Sequence, residues 1–255
     1  MDILVIPDTQ VKPDSPTEHL DWIGQYIVDN RPDVIVHLGD HWDFPSLSSY
    51  DKGKKSMEGR RVSEDIVAGL NGMVKLLSPL HKLQKKQKEA KKRVYRPEMH
   101  FHMGNHEDRL TRHVEANPEL EGFLDFSKLR LKETGWNVHE FLQVNEVGGI
   151  LFSHYFYQPM SGRAYGGTVQ TKLKNVGKSF VMGHQQGFEL GMGLTPDGAK
   201  KLGIVAGSCY LHDETYKGPQ ANHHWRGIVL LHDVADGFAD VETISLDRLR
   251  SLSYE

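Results

Sequence analysis

Apolar and polar residues follow two different rhythms along the first part of the chain. Short, mostly apolar runs at 3–7, 33–38 and 98–103 predict strands. The second run is typical of a parallel strand that is buried on both faces. Between the first two runs, apolar residues at helical spacing predict a helix that Thr17 caps and residues 30–32 end. The chain therefore begins as alternating strands and helices.

Further helices are predicted in the middle of the chain, and strands dominate its last part. Helical spacing continues over 62–77. Pro79, just after this range, either breaks the helix or starts another one. Helices are also predicted at 106–117, 118–131 and 168–176. The predicted strands that follow are 138–144, 149–153, 179–182, 203–207, 227–232 and 239–244. Two packed sheets between layers of helices satisfy this order of elements, so we predict an α/β fold.

Composition is ordinary for a soluble globular protein, but the charge is unevenly distributed. With 255 residues the chain can bury a full core, and we expect one domain over 1–255. The formal net charge of −3 gives no general attraction to nucleic acid. However, the run 82–96 holds eight Lys or Arg residues and one Glu, so the remainder of the chain carries about −10.

The cellular compartment is inferred from one cysteine and from the absence of targeting signals. Cys209 is the only cysteine, which excludes an internal disulfide and favours a reducing compartment. The acidic start of the chain is unlike a signal peptide. No apolar run approaches the roughly 18 residues that a membrane span needs. We therefore expect a cytoplasmic protein that makes no contact with membranes.

Metal-binding side chains follow the predicted strands. Asp8 and Gln10 come after the first strand, Gly-Asp-His-Trp-Asp (39–43) after the second, and Gly-Asn-His-Glu (104–107) after the third. Open α/β sheets place their ligand sites at the carboxyl ends of their strands. Because Asp, Asn and His side chains bind divalent cations, these positions predict a metal site.

Two later segments, Ser153-His154 and Gly-His-Gln-Gln (183–186), complete a set that resembles the calcineurin-like metallophosphoesterase superfamily. Its members carry an Asp-x-His, a Gly-Asp-x-x-Asp, a Gly-Asn-His-Asp/Glu, a lone His and a Gly-His-x-His, in that order. The resemblance covers about residues 3–186. It implies a four-layer α/β/β/α sandwich of two mixed sheets flanked by helices.

The resemblance also implies a centre with two divalent cations that activates a water for in-line attack on phosphorus. Asp40 would bridge both ions. The remaining ligands implied for the first ion are Asp8, Gln10 and Gln186, and those for the second are Asn105, His154 and His184. His106 would protonate the leaving oxygen or stabilise charge in the transition state. Asp43 would orient His106 and hold it cationic.

Two positions depart from the superfamily pattern, because Gln10 and Gln186 stand where histidines are usual. Both substitutions fall on the first ion. An amide oxygen is a weaker and harder ligand than imidazole, so the preference should shift toward Mn²⁺ or Mg²⁺. We favour Mn²⁺, with Zn²⁺ and Fe left open. The alternative is that the first site has decayed and hydrolysis is slow or absent.

Three further residues are candidates for substrate binding. Arg109 would reach a substrate phosphate, or else pair with Glu107, Asp108 or a neighbouring loop carboxylate. Arg163 lies in a glycine-bearing loop after His154. Trp42 would stack on a base or sugar at the cleft rim, or else pack in the core.

The expected activity is hydrolysis of a phosphodiester, with DNA or RNA as the candidate substrate. The helix start Asn-His-Glu-Asp-Arg (105–109) looks most like the bacterial and phage group described as DNA-repair-exonuclease-like. The basic run 82–96 fits a solvated helix face, which is the commoner outcome for such runs, or else a nucleic-acid contact. A phosphomonoesterase acting on a small molecule or phosphoprotein is the alternative of the same class. A non-catalytic nucleic-acid-binding protein with a degenerate metal site is the alternative of another class.

Overall fold

Two β-sheets face each other in the computed structural model, which describes residues 1–214 and 219–252. The strands, in chain order, are β1 (Ile3–Ile6), β2 (Val34–His37), β3 (Glu98–His102), β4 (Asn137–His139), β5 (Asn145–Val147), β6 (Ile150–Ser153), β7 (Phe180–Met182), β8 (Phe188–Leu194), β9 (Lys200–Ala206), β10 (Gly227–Ala235) and β11 (Phe238–Ser245). The helices are α1 (Glu18–Asn30), α2 (Val62–Glu89), α3 (Asp108–Ala116), α4 (Val169–Val176) and α5 (Leu246–Leu252).

The pairing of the strands brings several carboxyl ends to the same edge. The first sheet has the order β11-β10-β1-β2-β3-β4, and its strands β1 to β4 are parallel. The second sheet has the order β5-β6-β7-β9-β8, with β6, β7 and β9 parallel. Loops that follow parallel strands leave from one end of a sheet, so they can converge on one site.

Alternation along the strands divides the core into layers. Ile3 and Val5 of β1 pack between the sheets, in one apolar cluster with Phe152 of the second sheet. Leu4 points the other way, into a cluster formed with α1, α2 and α5. On the far side of the second sheet, α4 packs over Phe180. This arrangement confirms the predicted four-layer α/β/β/α sandwich.

The structure differs from the predicted elements in several places. Thr17 precedes α1, but its side chain makes no capping hydrogen bond, and β5 lies between two predicted strands. Pro79 lies inside α2, which runs unbroken to Glu89, and the ring of Pro79 packs closely against Gly24 of α1. The helix predicted at 118–131 is absent from these described residues, which instead form short 3₁₀ turns. Strand β8 was not predicted, because its glycines hide the apolar alternation.

No helix among the residues that the structure describes is both long enough and apolar enough to span a bilayer.

Candidate metal centre

The loops after β1, β2, β3, β6 and β7 meet at one place and bring most of the predicted ligands together. Two glycines allow this approach. A Cβ on Gly104 would lie 2.1 Å from Asp40 Oδ1, and one on Gly183 would lie 2.6 Å from Asp8 Oδ1. Asp40 itself turns the chain with a left-handed φ of +50°. Asp is one of the few residues other than glycine that accept this conformation readily.

Four of the predicted ligands of the second ion form a tight cluster. Asn105 Oδ1 lies 2.9 Å from His154 Nε2 and 2.7 Å from His184 Nδ1. Asp40 Oδ2 lies 3.4 Å from His154 Nε2. Ligand atoms of Asp40, His154 and His184 all lie within 4.8 Å of one another. This set of one carboxylate, one amide oxygen and two imidazoles fits a divalent cation.

A backbone carbonyl fixes the orientation of His154. Its Nδ1 lies 2.7 Å from the carbonyl oxygen of Leu38 and donates to it. The ring therefore presents Nε2 to the cluster, as expected for a histidine that is held to bind a metal. His154 is fully buried.

The charges in the cluster are those of a site that needs a cation. Burial, reinforced by the charge of Asp40, raises the pKa of Asp8 to about 7. Burial opposes the charged form of His154, but the carboxylate of Asp40 outweighs it and raises the pKa of His154 to about 9. Burial and the charge of His154 lower the pKa of His184 to about 4. A proton on His154 thus compensates the negative charge of Asp40, as a bound cation would.

Two further predicted ligands each have a buried oxygen that lacks a partner within residues 1–214 and 219–252. Asp8 Oδ2 and Gln10 Oε1 accept no hydrogen bond from any described residue. Asp8 is held in place because its Oδ1 accepts from the backbone N–H of His184 at 3.1 Å. Because buried oxygens are normally satisfied, this pair fits a hard cation such as Mn²⁺ or Mg²⁺.

Gln186, the remaining predicted ligand of the first ion, has a described partner of another kind. Its Oε1 accepts a hydrogen bond from the Tyr210 hydroxyl at 2.7 Å. A carbonyl oxygen keeps a second lone pair, so this contact does not prevent metal binding. The role of Gln186 as a ligand stays a prediction.

His106 lies beside the cluster and is oriented as predicted. Its Nδ1 is 2.7 Å from Asp43 Oδ1, and its Nε2 is 3.8 Å from Asp40 Oδ2. Burial opposes the charged ring, but Asp40 and Asp43 outweigh this effect and raise the pKa of His106. Burial likewise opposes ionisation of Asp43, while His106 and Lys12 overcome it and lower the pKa of Asp43 to about 2.

A lysine and a glutamate that the sequence analysis missed extend this arrangement. Lys12 Nζ lies 3.3 Å from Asp43 Oδ2 and 2.8 Å from Glu214 Oε1. Glu214 also lies 2.7 Å from His212 Nε2, and it is buried. The sequence gives no signal for this contact, because Lys12 and Glu214 are 202 positions apart.

Glu107 has a structural role that the sequence analysis did not assign to it. Its carboxylate is fully buried and accepts four backbone N–H groups. Those donors belong to Gly104, Asp40, His41 and Trp42, at 2.7 to 2.9 Å. Glu107 therefore ties the loop after β3 to the loop after β2. A glutamate just before a helix in such a motif is the only sequence signal that could have indicated this role.

Two of the three candidate substrate residues, both arginines, have different surroundings. Arg109 donates to the backbone oxygens of Asp43 and Phe44 and lies 3.2 Å from His106 Nε2. Arg163 is exposed in the loop after His154, and its role stays a prediction.

The expectation that Trp42 lies at the cleft rim is wrong. Its side chain is fully buried, and its Nε1 donates to the backbone oxygen of Ile66. The indole packs so closely on Gly69 of α2 that a Cβ there would lie 1.9 Å from Nε1. The ring is therefore inaccessible to a base or a sugar.

Comparison with known proteins identifies relatives of this chain. A family model described as calcineurin-like phosphoesterase matches residues 1–204. The Gene 54 protein of Mycobacterium phage L5 is 33% identical over 107 residues, which cover 42% of this chain and 36% of the phage protein. The Gene 54 protein of Mycobacterium phage D29 is 32% identical over the same shares of both chains.

A solved structure is also similar to this chain. It is a conserved uncharacterised protein, a predicted phosphoesterase, from Streptococcus pneumoniae. It is 11% identical with a TM-score of 0.36, and the match covers 96% of this chain and 90% of that one.

Proposed function

This chain belongs to the calcineurin-like phosphoesterase family, and on this premise we propose that it hydrolyses phosphodiesters with the help of two divalent cations. The observation that carries the proposal is the convergence of Asp40, Asn105, His154 and His184 on one point. Asp8 and Gln10 lie two positions apart after β1, and each has a buried oxygen that finds no partner in the described part of the chain, which supports a second ion.

The residues would divide between the two ions around Asp40. Asn105, His154 and His184 would hold one ion, while Asp8, Gln10 and Gln186 would hold the other. When bound, such ions neutralise phosphoryl charge and make a water molecule more acidic. The amide oxygens of the two glutamines favour Mn²⁺ or Mg²⁺ over softer metals.

His106 would act on the leaving group. Asp43 accepts from Nδ1 of the ring, which directs Nε2 toward the cluster at Asp40. A cationic His106 would therefore offer its Nε2 proton to the departing oxygen. Arg109 Nη2 lies 3.2 Å from Nε2, and because a guanidinium only donates, this contact belongs to the neutral ring. Beside the cationic ring, Arg109 would contact a bound phosphoryl group instead.

A metal-reconstitution assay tests the activity and separates it from the alternatives. We expect metal-stripped protein to be inactive and to cleave bis-p-nitrophenyl phosphate after addition of Mn²⁺. Faster turnover of p-nitrophenyl phosphate would favour a monoesterase instead. Binding of labelled DNA with no turnover under Mn²⁺, Mg²⁺ or Zn²⁺ would contradict the proposal. It would favour a binding protein with a degenerate site, as the two glutamines allow.

A second prediction concerns Lys12, which we expect to position His106 through Asp43. Lys12→Met keeps the length of the side chain but removes the charge that holds Asp43 Oδ2. Loss of a contact that orients a metal-binding side chain typically costs about 10- to 100-fold in affinity or activity. We expect an effect of the same order for a contact that orients His106 through Asp43. We expect a fall of this size in kcat for the small diester, with little change in KM.

Three controls separate positioning from a merely structural role of Lys12. Lys12→Met also removes the cation beside the buried Glu214, which keeps only its contact with His212 among its side-chain partners named above. The double variant Lys12→Met/Glu214→Gln therefore removes the charge of Glu214 as well. If Lys12 only stabilises the fold, the double variant recovers kcat. That result would contradict a positioning role for Lys12. Lys12→Arg should recover most of kcat. Lys75→Met removes a lysine that bridges α2 to Thr17 and should leave kcat unchanged.

A further inference from the structure

The basic run 82–96 forms a single exposed surface at the end of α2. All eight of its cationic side chains are exposed, and they are Lys82, Lys85, Lys86, Lys88, Lys91, Lys92, Arg93 and Arg96. The one acidic residue, Glu89, lies 4.0 Å from Lys85. We call these eight residues the basic surface.

Hydrogen bonds hold the two halves of this surface together. The chain turns back after α2, and Tyr95 is fixed on the last helical turns. The side chains of Gln84 and Gln87 bond to the backbone of Tyr95 at 3.0 and 2.9 Å. The hydroxyl of Tyr95 donates to the Pro32 carbonyl at 2.6 Å. The cations on the helix and those after it are therefore carried by one fixed corner of the protein.

The basic surface lies at the opposite end of the first sheet from the metal centre. Tyr95 contacts Pro32, just before β2 begins, and the backbone of Glu98 at the start of β3 bonds to Asp33. The metal centre follows the other ends of the same strands, at Asp40 and Asn105. The basic surface therefore cannot hold the phosphate that is cleaved at the centre.

The dipole of α2 explains only in part why so many cationic side chains lie at this end of the helix. Cations in the last turn of a helix are stabilised by its dipole, and this effect fades within one turn. Lys92, Arg93 and Arg96 lie beyond the end of α2 and gain little from it. The remainder of the chain carries about −10, so a polyanion would be attracted here and repelled elsewhere.

We propose that the basic surface docks the sugar-phosphate backbone of a nucleic acid, apart from the metal centre. A lipid bilayer is the other large polyanion, but surface-binding helices also insert apolar side chains. None of the large apolar side chains that are exposed among the described residues lies within 82–96. Recognition by charge alone suits a phosphodiester backbone and implies no preference for sequence.

The test measures DNA binding without turnover, so it does not depend on the proposed activity. Fluorescence anisotropy with a short labelled duplex, in EDTA and at several salt concentrations, compares two triple variants. One is Lys82→Gln/Lys85→Gln/Lys86→Gln on the basic surface. The matched control, Lys128→Gln/Lys132→Gln/Lys174→Gln, removes the same charge from exposed lysines elsewhere. Glutamine keeps helix propensity close to that of lysine.

We expect the first triple variant to raise Kd for DNA at least about 10-fold near 0.1 M salt. The slope of the logarithm of the association constant against the logarithm of the salt concentration should become less steep by up to about 3. The control should bind like the original protein, and both variants should keep their activity on the small diester. An equal loss in both variants, or none in either, would overturn the proposal. So would binding to phosphatidylserine vesicles that is tighter than binding to DNA.

Discussion

Asp40→Asn is expected to lower kcat/KM for a small diester by about 10³-fold or more, which corresponds to about 4 kcal/mol of transition-state stabilisation. Asp40 is the carboxylate that both predicted sets of ligands share. Asparagine accepts the left-handed φ of +50° at this position, and its amide oxygen can still accept from the backbone N–H of His106. The substitution therefore removes charge while leaving the loop able to fold.

Thermal unfolding with and without Mn²⁺ gives an independent readout of the same change. A ligand present at 100 times its Kd stabilises the folded state by about 2.7 kcal/mol. We expect this metal-dependent rise in Tm in the original protein and its loss in Asp40→Asn. Asp236→Asn is the matched control, since Asp236 is exposed and has a similar φ of +51°. A full Mn²⁺-dependent rise in Asp40→Asn would contradict the assignment.

Glu107→Gln is expected to destabilise the fold by about 2–5 kcal/mol, because it breaks a buried and fully bonded carboxylate. Both carboxylate oxygens accept two backbone N–H groups each. The glutamine amide would turn one of these oxygens into an NH₂ group that faces two donors. Two hydrogen bonds are then lost, and the donors stay buried without partners.

Urea unfolding measures this effect, and a neighbouring glutamate provides the control. Glu115→Gln makes the same chemical change on the exposed face of α3 and should alter the free energy of unfolding by less than about 0.5 kcal/mol. Equal stability of the two variants would show that Glu107 does not hold the loops together. Added Mn²⁺ should recover part of the stability of Glu107→Gln, because the ligands on both loops remain.

Much of the candidate site could be predicted because its residues follow strands that the sequence marks clearly. Asp8, Asp40 and Asn105 each come after a run that is mostly apolar. Parallel pairing then brings such positions to one edge of the sheet. The structure places the ligands that were predicted for the second ion close together. The order of motifs added His154 and His184, which lie in loops that follow strands of the other sheet.

The rest depends on contacts that local patterns do not encode. Lys12 reaches Glu214 only because the loop after β1 lies beside a segment near the end of the chain. The sequence left two positions open for Trp42, because a motif gives the place of a side chain along the chain but not the direction in which it points. The structure bears out packing in the core. Pro79 stays within α2 because packing against Gly24 outweighs its low helix propensity.

Crystals grown in Mn²⁺ and measured at the manganese absorption edge would show whether two cations share Asp40. We expect two anomalous peaks that both contact the carboxylate of Asp40. One of them should also contact Asn105, His154 and His184. A map with no peak at Asp40 under saturating Mn²⁺, or with a single ion that leaves Asp8 and Gln10 without a ligand role, would contradict this expectation.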